Sequence, residues 1–470
     1  MTTPEWVQDA IFYQIFPDRF ANGDLSNDPP NVQPWESPPT TWGFHGGDIP
    51  GIVQHLDYLL DLGVNALYLT PIFQASSNHR YNTTDYLHID PKLGSKEDFQ
   101  TLLSVAHKHG VRVILDGVFN HCGRGFFAFN DILENQDHSP YLEWFYIKNL
   151  PVDAYSLGDA RDYLGWWSMK SLPKFNTRNP LVRKYILDVA RYWIDQGIDG
   201  WRLDVPNEID DDSFWAEFRH VVKSANPEAY ILGEIWTADH RWVGDTHFDG
   251  LMNYPVRDAL LRLLLAGTMD IPHFAEKIEG LLDFYPQENA FSMYVTAGTH
   301  DTERLLTRVG GDIDKARLAF LFLFAYPGAP AIYYGDEIGL TGGTDPDCRG
   351  AFPWTSSRWN ETLRDWVKLL IRLRKEHPSL RRGDFRRVCL NENQACYAFA
   401  RLTPEQQVVV ALNASPDQRQ FCVPVDTINW SSEQIVYDLL QPGVEYRVEQ
   451  GCFEITLPPW GGAWVANKAV

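Results

Sequence analysis

Positive charge is scarce in this chain. Lys and Arg number 41 among 470 residues, against 62 Asp and Glu, for a net charge of −21. Nucleic-acid binding needs clustered cations, so the balance argues against it. It also disfavours an anionic membrane surface. A neutral or cationic substrate is expected instead. Long apolar runs are missing too. The longest, Leu318 to Tyr334, is broken by Pro327, Gly328 and Pro330. It falls short of a membrane span of roughly 20 residues. It reads as a buried helix, a turn and a strand. Cysteine is sparse: Cys122, Cys348, Cys389, Cys396, Cys422 and Cys452 form no C-x-x-C pair and no zinc spacing. They read as free thiols of a reducing compartment. The N-terminus has no basic segment and no signal-type apolar core, so a cytoplasmic protein is expected. Internal repeats, low-complexity tracts and long linkers are absent from the sequence as well.

Aromatic residues, by contrast, are plentiful, with 17 Trp among them. Most should be core, although sugar clefts also use aromatic faces. Short β-rich runs alternate with helical patterns. The strand candidates are "AIFYQIF" (10–16), "NALYLTP" (65–71), "VRVILDGVFNH" (111–121), "GWRLD" (200–204), "AYILGEIW" (229–236), "FDGLMNY" (248–254), "SMYVTAGTHD" (292–301) and "APAIYYGDE" (329–337). This rhythm predicts a parallel sheet covered by helices. Eight such strands predict an α/β fold of the (β/α)₈ barrel type. A doubly wound open sheet is the alternative, but no G-x-G-x-x-G follows the first strand. The interval between the third and fourth strands is far longer than the next. The excess, 121–171, reads as an excursion domain splitting the barrel into 1–120 and 172–380. After residue 380 the pattern alternates between turn signals, which predicts a C-terminal antiparallel β-sandwich over 381–470.

Several barrel strands end in polar residues. The third supplies Asp116, Asn120 and His121. The fourth supplies Arg202 and Asp204, the fifth Glu234, and the seventh His300 and Asp301. Active sites of such barrels lie at the carboxyl ends of the strands. Carboxylates gathered in one cleft fit glycoside hydrolysis, which needs a nucleophile or base and a carboxylic acid. Asp204 and Glu234 end neighbouring strands, which suits the short, retaining spacing. Arg202 should keep Asp204 ionised, while an apolar setting should keep Glu234 protonated. Asp204 is thus the expected nucleophile, Glu234 the acid/base and Asp301 the third, stabilising carboxylate. Taken alone, "WRLD" fits a structural salt bridge equally well. Metal use of the His and Asp groups lacks a supporting motif.

These residues carry a resemblance. "DGVFNH", "GWRLDVPNE", "GEIW" and "GTHDTER" resemble the four signature blocks of the α-amylase family, glycoside hydrolase family 13. "LPKFN" and "FYQIFPDRFANGDLSNDP" are similar to the neopullulanase, cyclomaltodextrinase and maltogenic amylase subgroup. The resemblance implies the same three carboxylate roles. It implies sugar contacts from His79, Tyr81, His121, Arg202 and His300, with Trp236 on the leaving-group side and Asp345 and Arg349 on the donor side. It implies a structural Ca²⁺ held by Asn22, Asp24, Asn27, Asp28, Gly46 and Asp48. It implies an α-glucan substrate cut at α-1,4 bonds, α-1,6 bonds or both, with debranching as a contender. A transglycosylase and a non-catalytic sugar-binding relative are the alternatives. Subgroup members usually carry a β-rich domain before the barrel. The first strand here begins near Ala10, which leaves open a homodimer of their kind and their taste for small cyclic substrates. Pro206 and Thr299 also depart from the subgroup's usual residues.

Overall fold

The computed structural model describes residues 3–265, 267–428 and 430–468. Eight parallel strands form the central sheet. In chain order they are β1 (Phe12–Ile15), β2 (Ala66–Leu69), β3 (Arg112–Gly117), β4 (Gly200–Leu203), β5 (Tyr230–Gly233), β6 (Gly250–Leu251), β7 (Tyr294–Thr296) and β8 (Ala329–Tyr333). Their spatial order runs β6-β5-β4-β3-β2-β1-β8-β7. A parallel bridge between Met252 and Tyr294 joins the two ends, so the sheet closes into a barrel. All eight expected strands are present, and the long apolar run is the expected helix, turn and strand.

Strand alternation sorts the side chains. Tyr13, Leu67, Val113, Leu115, Trp201, Leu203 and Ile231 belong to the large core between barrel and helices. Phe12, Ala66, Tyr68, Ile114, Tyr230, Leu232 and Met252 fill the barrel interior. Further along, that inner face turns polar at Asp116 on β3, Arg202 on β4 and Glu234 just after β5. The apolar layers thus form a floor beneath a polar mouth. This is why Arg202 and Asp204 interrupt an otherwise apolar strand.

Surrounding helices start on side-chain caps. Ser95 and Asp98 make a reciprocal capping box on Lys96–Lys108. Asn179 and Asp211 cap Pro180–Asp195 and Asp212–Ala225. Among the described residues, no helix is long and apolar enough to cross a membrane. Between β3 and Pro180 the chain makes short helices and isolated bridges, including His121 with Lys174 and Phe145 with Phe175.

After Glu361–Glu376 comes an antiparallel sheet of six strands. A separate pair, Arg419–Pro424 with Cys452–Leu457, packs on it through a second apolar core. One expectation fails in this region. Cys422 and Cys452 are joined in a disulfide, with Cα atoms 5.8 Å apart. They lie two residues out of register on paired strands, and sequence spacing cannot reveal such a neighbour. Cys122, Cys348, Cys389 and Cys396 are free thiols, as expected. The pair removes cysteine usage as an argument for a reducing compartment.

Candidate active site

Arg202 is the centre of the mouth. It is fully buried. Its Nη1 donates to Asp116 Oδ1 at 2.9 Å and to Asp204 Oδ1 at 3.1 Å. Its Nη2 lies 2.9 Å from Glu234 Oε1. Sequence reasoning paired Arg202 with Asp204 alone, but the guanidinium serves three carboxylates. Glu234 is therefore not in an apolar pocket. Its second oxygen accepts the Val205 N–H at 3.1 Å.

Charge crowding sets the proton affinities. Burial pushes Glu234 up to about 7, against the pull of Arg202. Burial also drives Asp204 well above the usual carboxylate range; Arg202 pulls it down, and Glu234 and Asp116 push it up. The expected contrast, Asp204 low and Glu234 high, is thus absent in the resting site. One cation cannot hold three neighbouring carboxylates ionised, so the group titrates together.

Asp301 stands apart and is half-exposed. Its Oδ1 accepts from Arg349 Nη2 at 3.1 Å. Its Oδ2 lies 3.0 Å from His300 Nε2. Arg349 also reaches Asp345 Oδ1 at 3.0 Å, so Asp345, Arg349 and Asp301 form one chain of contacts.

The aromatic and imidazole residues line the same mouth. The Tyr81 and His300 rings stack at 5.3 Å and 6°. Tyr81 Oη donates to Asp116 Oδ2 at 2.8 Å. The Tyr81 N–H donates to His79 Nδ1 at 3.1 Å. His121 stacks on Trp166 at 5.3 Å, and its buried Nε2 has no partner among the described residues. Burial pushes His79 and His121 each down to about 3 and His300 well below its ordinary value. Neutral imidazoles of this kind offer hydrogen bonds without charge, which suits an uncharged polyol. Trp236 is 48% exposed and stacks on Tyr254 at 3.8 Å, leaving its outer face open to solvent.

Sequence reasoning missed several members of this site. Asp116 is a strand-end polar residue to which the sequence alone assigns no role; it binds Arg202, Tyr68 and Tyr81. Tyr68 and Gln14 were not singled out at all. The signal was available, because Gln14 is an amide within a buried strand, as anomalous as Arg202. Val205 and Trp166 left no such signal, since backbone conformation and stacking across a long loop are not sequence patterns.

The six residues expected at a metal site also come together. Asp48 is mostly spoken for. Its carboxylate accepts from the N–H groups of Gly23, Asp24 and Gly51 and from Asn27 Nδ2. Asp24 binds Ser26. Asn22 Nδ2 donates to Asp28 Oδ1 at 2.9 Å. Asn22 Oδ1 and Asn27 Oδ1 are buried without partners among the described residues. Gly46 takes φ 81°, and a side chain there would collide with Asp28 and Asn22. Hard oxygens left unpaired in a tight loop fit Ca²⁺. Among the described residues, no group of three or more His, Cys, Asp or Glu side chains is placed to hold a metal ion. The loop's open donors are amide oxygens instead.

Comparison with known proteins agrees with this geometry. Residues 14–366 match the model of the alpha amylase catalytic domain. The chain is 44% identical over 460 residues to a cyclomaltodextrinase from Geobacillus thermopakistaniensis, covering 97% of this chain and 77% of that one. The solved structure of a cyclic alpha-maltosyl-(1→6)-maltose hydrolase from Arthrobacter globiformis matches with a TM-score of 0.90 and 42% identity, covering 99% of both chains. A debranching enzyme from Nostoc punctiforme matches with a TM-score of 0.89 and 40% identity, again covering 99% of both. The eight-stranded barrel, its crowded carboxylate mouth and these likenesses make the chain a glycoside hydrolase of the alpha-amylase family.

Proposed function

We infer that the mouth cleaves α-glucosidic bonds with retention of configuration, in linear, cyclic or branched α-glucans. In this reading Glu234 gives its proton to the leaving oxygen. Asp204 attacks the anomeric carbon, and a glycosyl ester forms as the glycosidic bond breaks. Water then attacks that carbon, Glu234 takes its proton, and Asp204 leaves as a carboxylate. The observation that carries the reading is the guanidinium shared by Asp204 and Glu234. The same coupling divides the labour. A proton on Glu234 removes that group's push on Asp204. Arg202 is then free to hold Asp204 ionised for attack. Asp301 and the neutral imidazoles would bind sugar hydroxyls, and Trp236 would carry a sugar on the leaving-group side.

Two solved relatives that match end to end are named for a (1→6)-linked substrate and for debranching. This supports placing α-1,6 bonds, alongside α-1,4 bonds, within the range of the site. Product analysis decides between them. Panose from pullulan marks α-1,4 cleavage, and maltotriose marks α-1,6 cleavage. Transfer to a sugar instead of water would appear as products longer than the substrate. For the mechanism, a fluorinated glucosyl fluoride should leave a covalent adduct on the peptide containing Asp204. An adduct on any other residue would overturn the assignment.

We further propose that Asn22, Asn27, Asp28 and the Gly46 carbonyl hold a structural Ca²⁺, with Asp24 and Asp48 ordering the loop around it. The support is the pair of buried amide oxygens that have no partner among the described residues. Adding Ca²⁺ should raise the melting temperature, and Asn27→Ala should remove that rise. A melting temperature indifferent to Ca²⁺, with no bound metal detected, rejects the site.

A further inference from the structure

Gln14 is buried, lies on β1, and reaches the mouth through one contact. Its Nε2 is 2.7 Å from His300 Nδ1. Its Oε1 is buried and has no partner among the described residues. The amide could therefore turn either end toward the ring without losing another bond. What decides its orientation is where the imidazole proton sits.

The other side of the ring settles that question. His300 Nε2 faces Asp301 Oδ2 at 3.0 Å and Tyr81 Oη at 2.5 Å. Tyr81 Oη gives its own proton to Asp116 Oδ2. Both groups facing Nε2 are thus acceptors, so Nε2 must carry the hydrogen. The ring is neutral, held so by burial and by the positive charges of Arg349 and Arg202. A neutral ring with N–H at Nε2 has a bare Nδ1, which requires a donor. Gln14 is the donor in reach.

The geometry points to Gln14 as a positioning residue for His300: by donating to the bare Nδ1 it secures the Nε2–H tautomer that Asp301 and Tyr81 call for, and so holds the ring against both. It touches neither substrate nor reacting atoms. Its part is to keep a hydrogen-bond donor, not a lone pair, aimed at the Asp301 carboxylate and at the sugar beside it. With the wrong tautomer, a lone pair would face Oδ2 and push Asp301 aside. Ring and amide occupy the same space in either case. Packing alone therefore does not make the selection.

This inference rests on the glycosidase reading only for its effect on rate; the tautomer itself is measured independently. Nitrogen NMR of the ¹⁵N-histidine-labelled protein, with His300 assigned by loss of its signal in His300→Asn, reports the tautomer directly. The wild-type ring should show the hydrogen on Nε2. Gln14→Glu places a carboxylate at Nδ1, so the ring should take a second proton there and become an imidazolium. Gln14→Leu should give a mixture. Both variants should lose on the order of 10- to 100-fold in kcat/KM, by analogy with groups that orient a metal-ligating histidine from behind. A wild-type ring protonated on Nδ1 overturns the proposal without any variant. So does a Gln14→Leu protein whose tautomer and kcat/KM both match wild type. If the wild type gives no adduct on Asp204 but shows the Nε2–H ring, the mechanism fails while the tautomer assignment stands.

Discussion

Two buried charge clusters occupy opposite ends of this barrel, and they invert each other. At the amino end, Asp249 takes Arg219 at 2.8 Å and Lys223 at 2.8 Å. It also accepts the Ile231 N–H at 2.9 Å. One carboxylate there meets two cations and a backbone donor. At the mouth, one guanidinium meets Asp116, Asp204 and Glu234. The first arrangement repays its desolvation with surplus positive charge and hydrogen bonds. The second leaves negative charge in excess, which raises proton affinities and destabilises the fold. An Arg–Asp contact is common to both, so the contact itself says nothing about function. The ratio of charges does.

Cutting one carboxylate at each end gives the largest expected difference. Asp204→Asn should reduce hydrolysis by more than about 10³-fold, because it removes the proposed nucleophile. It should not lower the melting temperature, since it relieves like-charge crowding. Asp249→Asn should do the reverse. Removing one partner of a buried ion pair costs about 3–5 kcal/mol. The folded fraction should still turn over at a rate near wild type. Thermal melting and active-site-titrated rates test both. An Asp204→Asn protein that melts far below wild type would break the contrast.

Glu234 extends the comparison to pH. Its carboxyl is pushed up to about 7 in the folded state, above the ordinary glutamate value. A raised folded pKa costs nothing while both states are protonated. The cost grows as pH rises from the ordinary range through about 7, because only the unfolded state ionises freely. Glu234→Gln cannot ionise. The variant should therefore gain stability over wild type at pH 8 and show no gain at pH 4. Its activity should fall by about 10²–10⁴-fold. In the wild type, kcat should decline above pH 7 as the proton leaves. A stability gain that is independent of pH would mean that Glu234 is not under this pressure.

Much of this was legible in the chain because periodicity survives folding. The alternation in "GWRLD" put Arg202 and Asp204 on one face, and that face is the barrel interior. Eight apolar runs gave the eight strands, because each must be buried on both sides. Three things were not legible. The sharing of Arg202 depends on the stagger of strands, which brings Asp116 and Glu234 to the same guanidinium. The disulfide between Cys422 and Cys452 depends on cross-strand register. The third is backbone strain, which no side-chain pattern encodes.

That strain offers the smallest and sharpest test of the difference between the two ends. Val205 follows Asp204 and adopts φ 36°, ψ 51°, the left-handed region. A β-branched side chain is poorly tolerated there, and the following Pro206 further restricts it. Such strain costs on the order of 1–3 kcal/mol and persists only where surrounding structure enforces it. Its result is visible: the Val205 N–H is aimed at Glu234 Oε2. Asn tolerates the left-handed region far better. Val205→Asn should therefore keep the N–H in place while releasing part of the strain. We expect a gain of about 1 kcal/mol in stability, with kcat changed less than about threefold by the relation of rate to barrier. The same gain with a large loss of kcat would mean that the apolar Val205 side chain, not its N–H, serves the mouth. No gain at all would mean that the turn is not strained, and the mouth would differ from the amino end in charge alone.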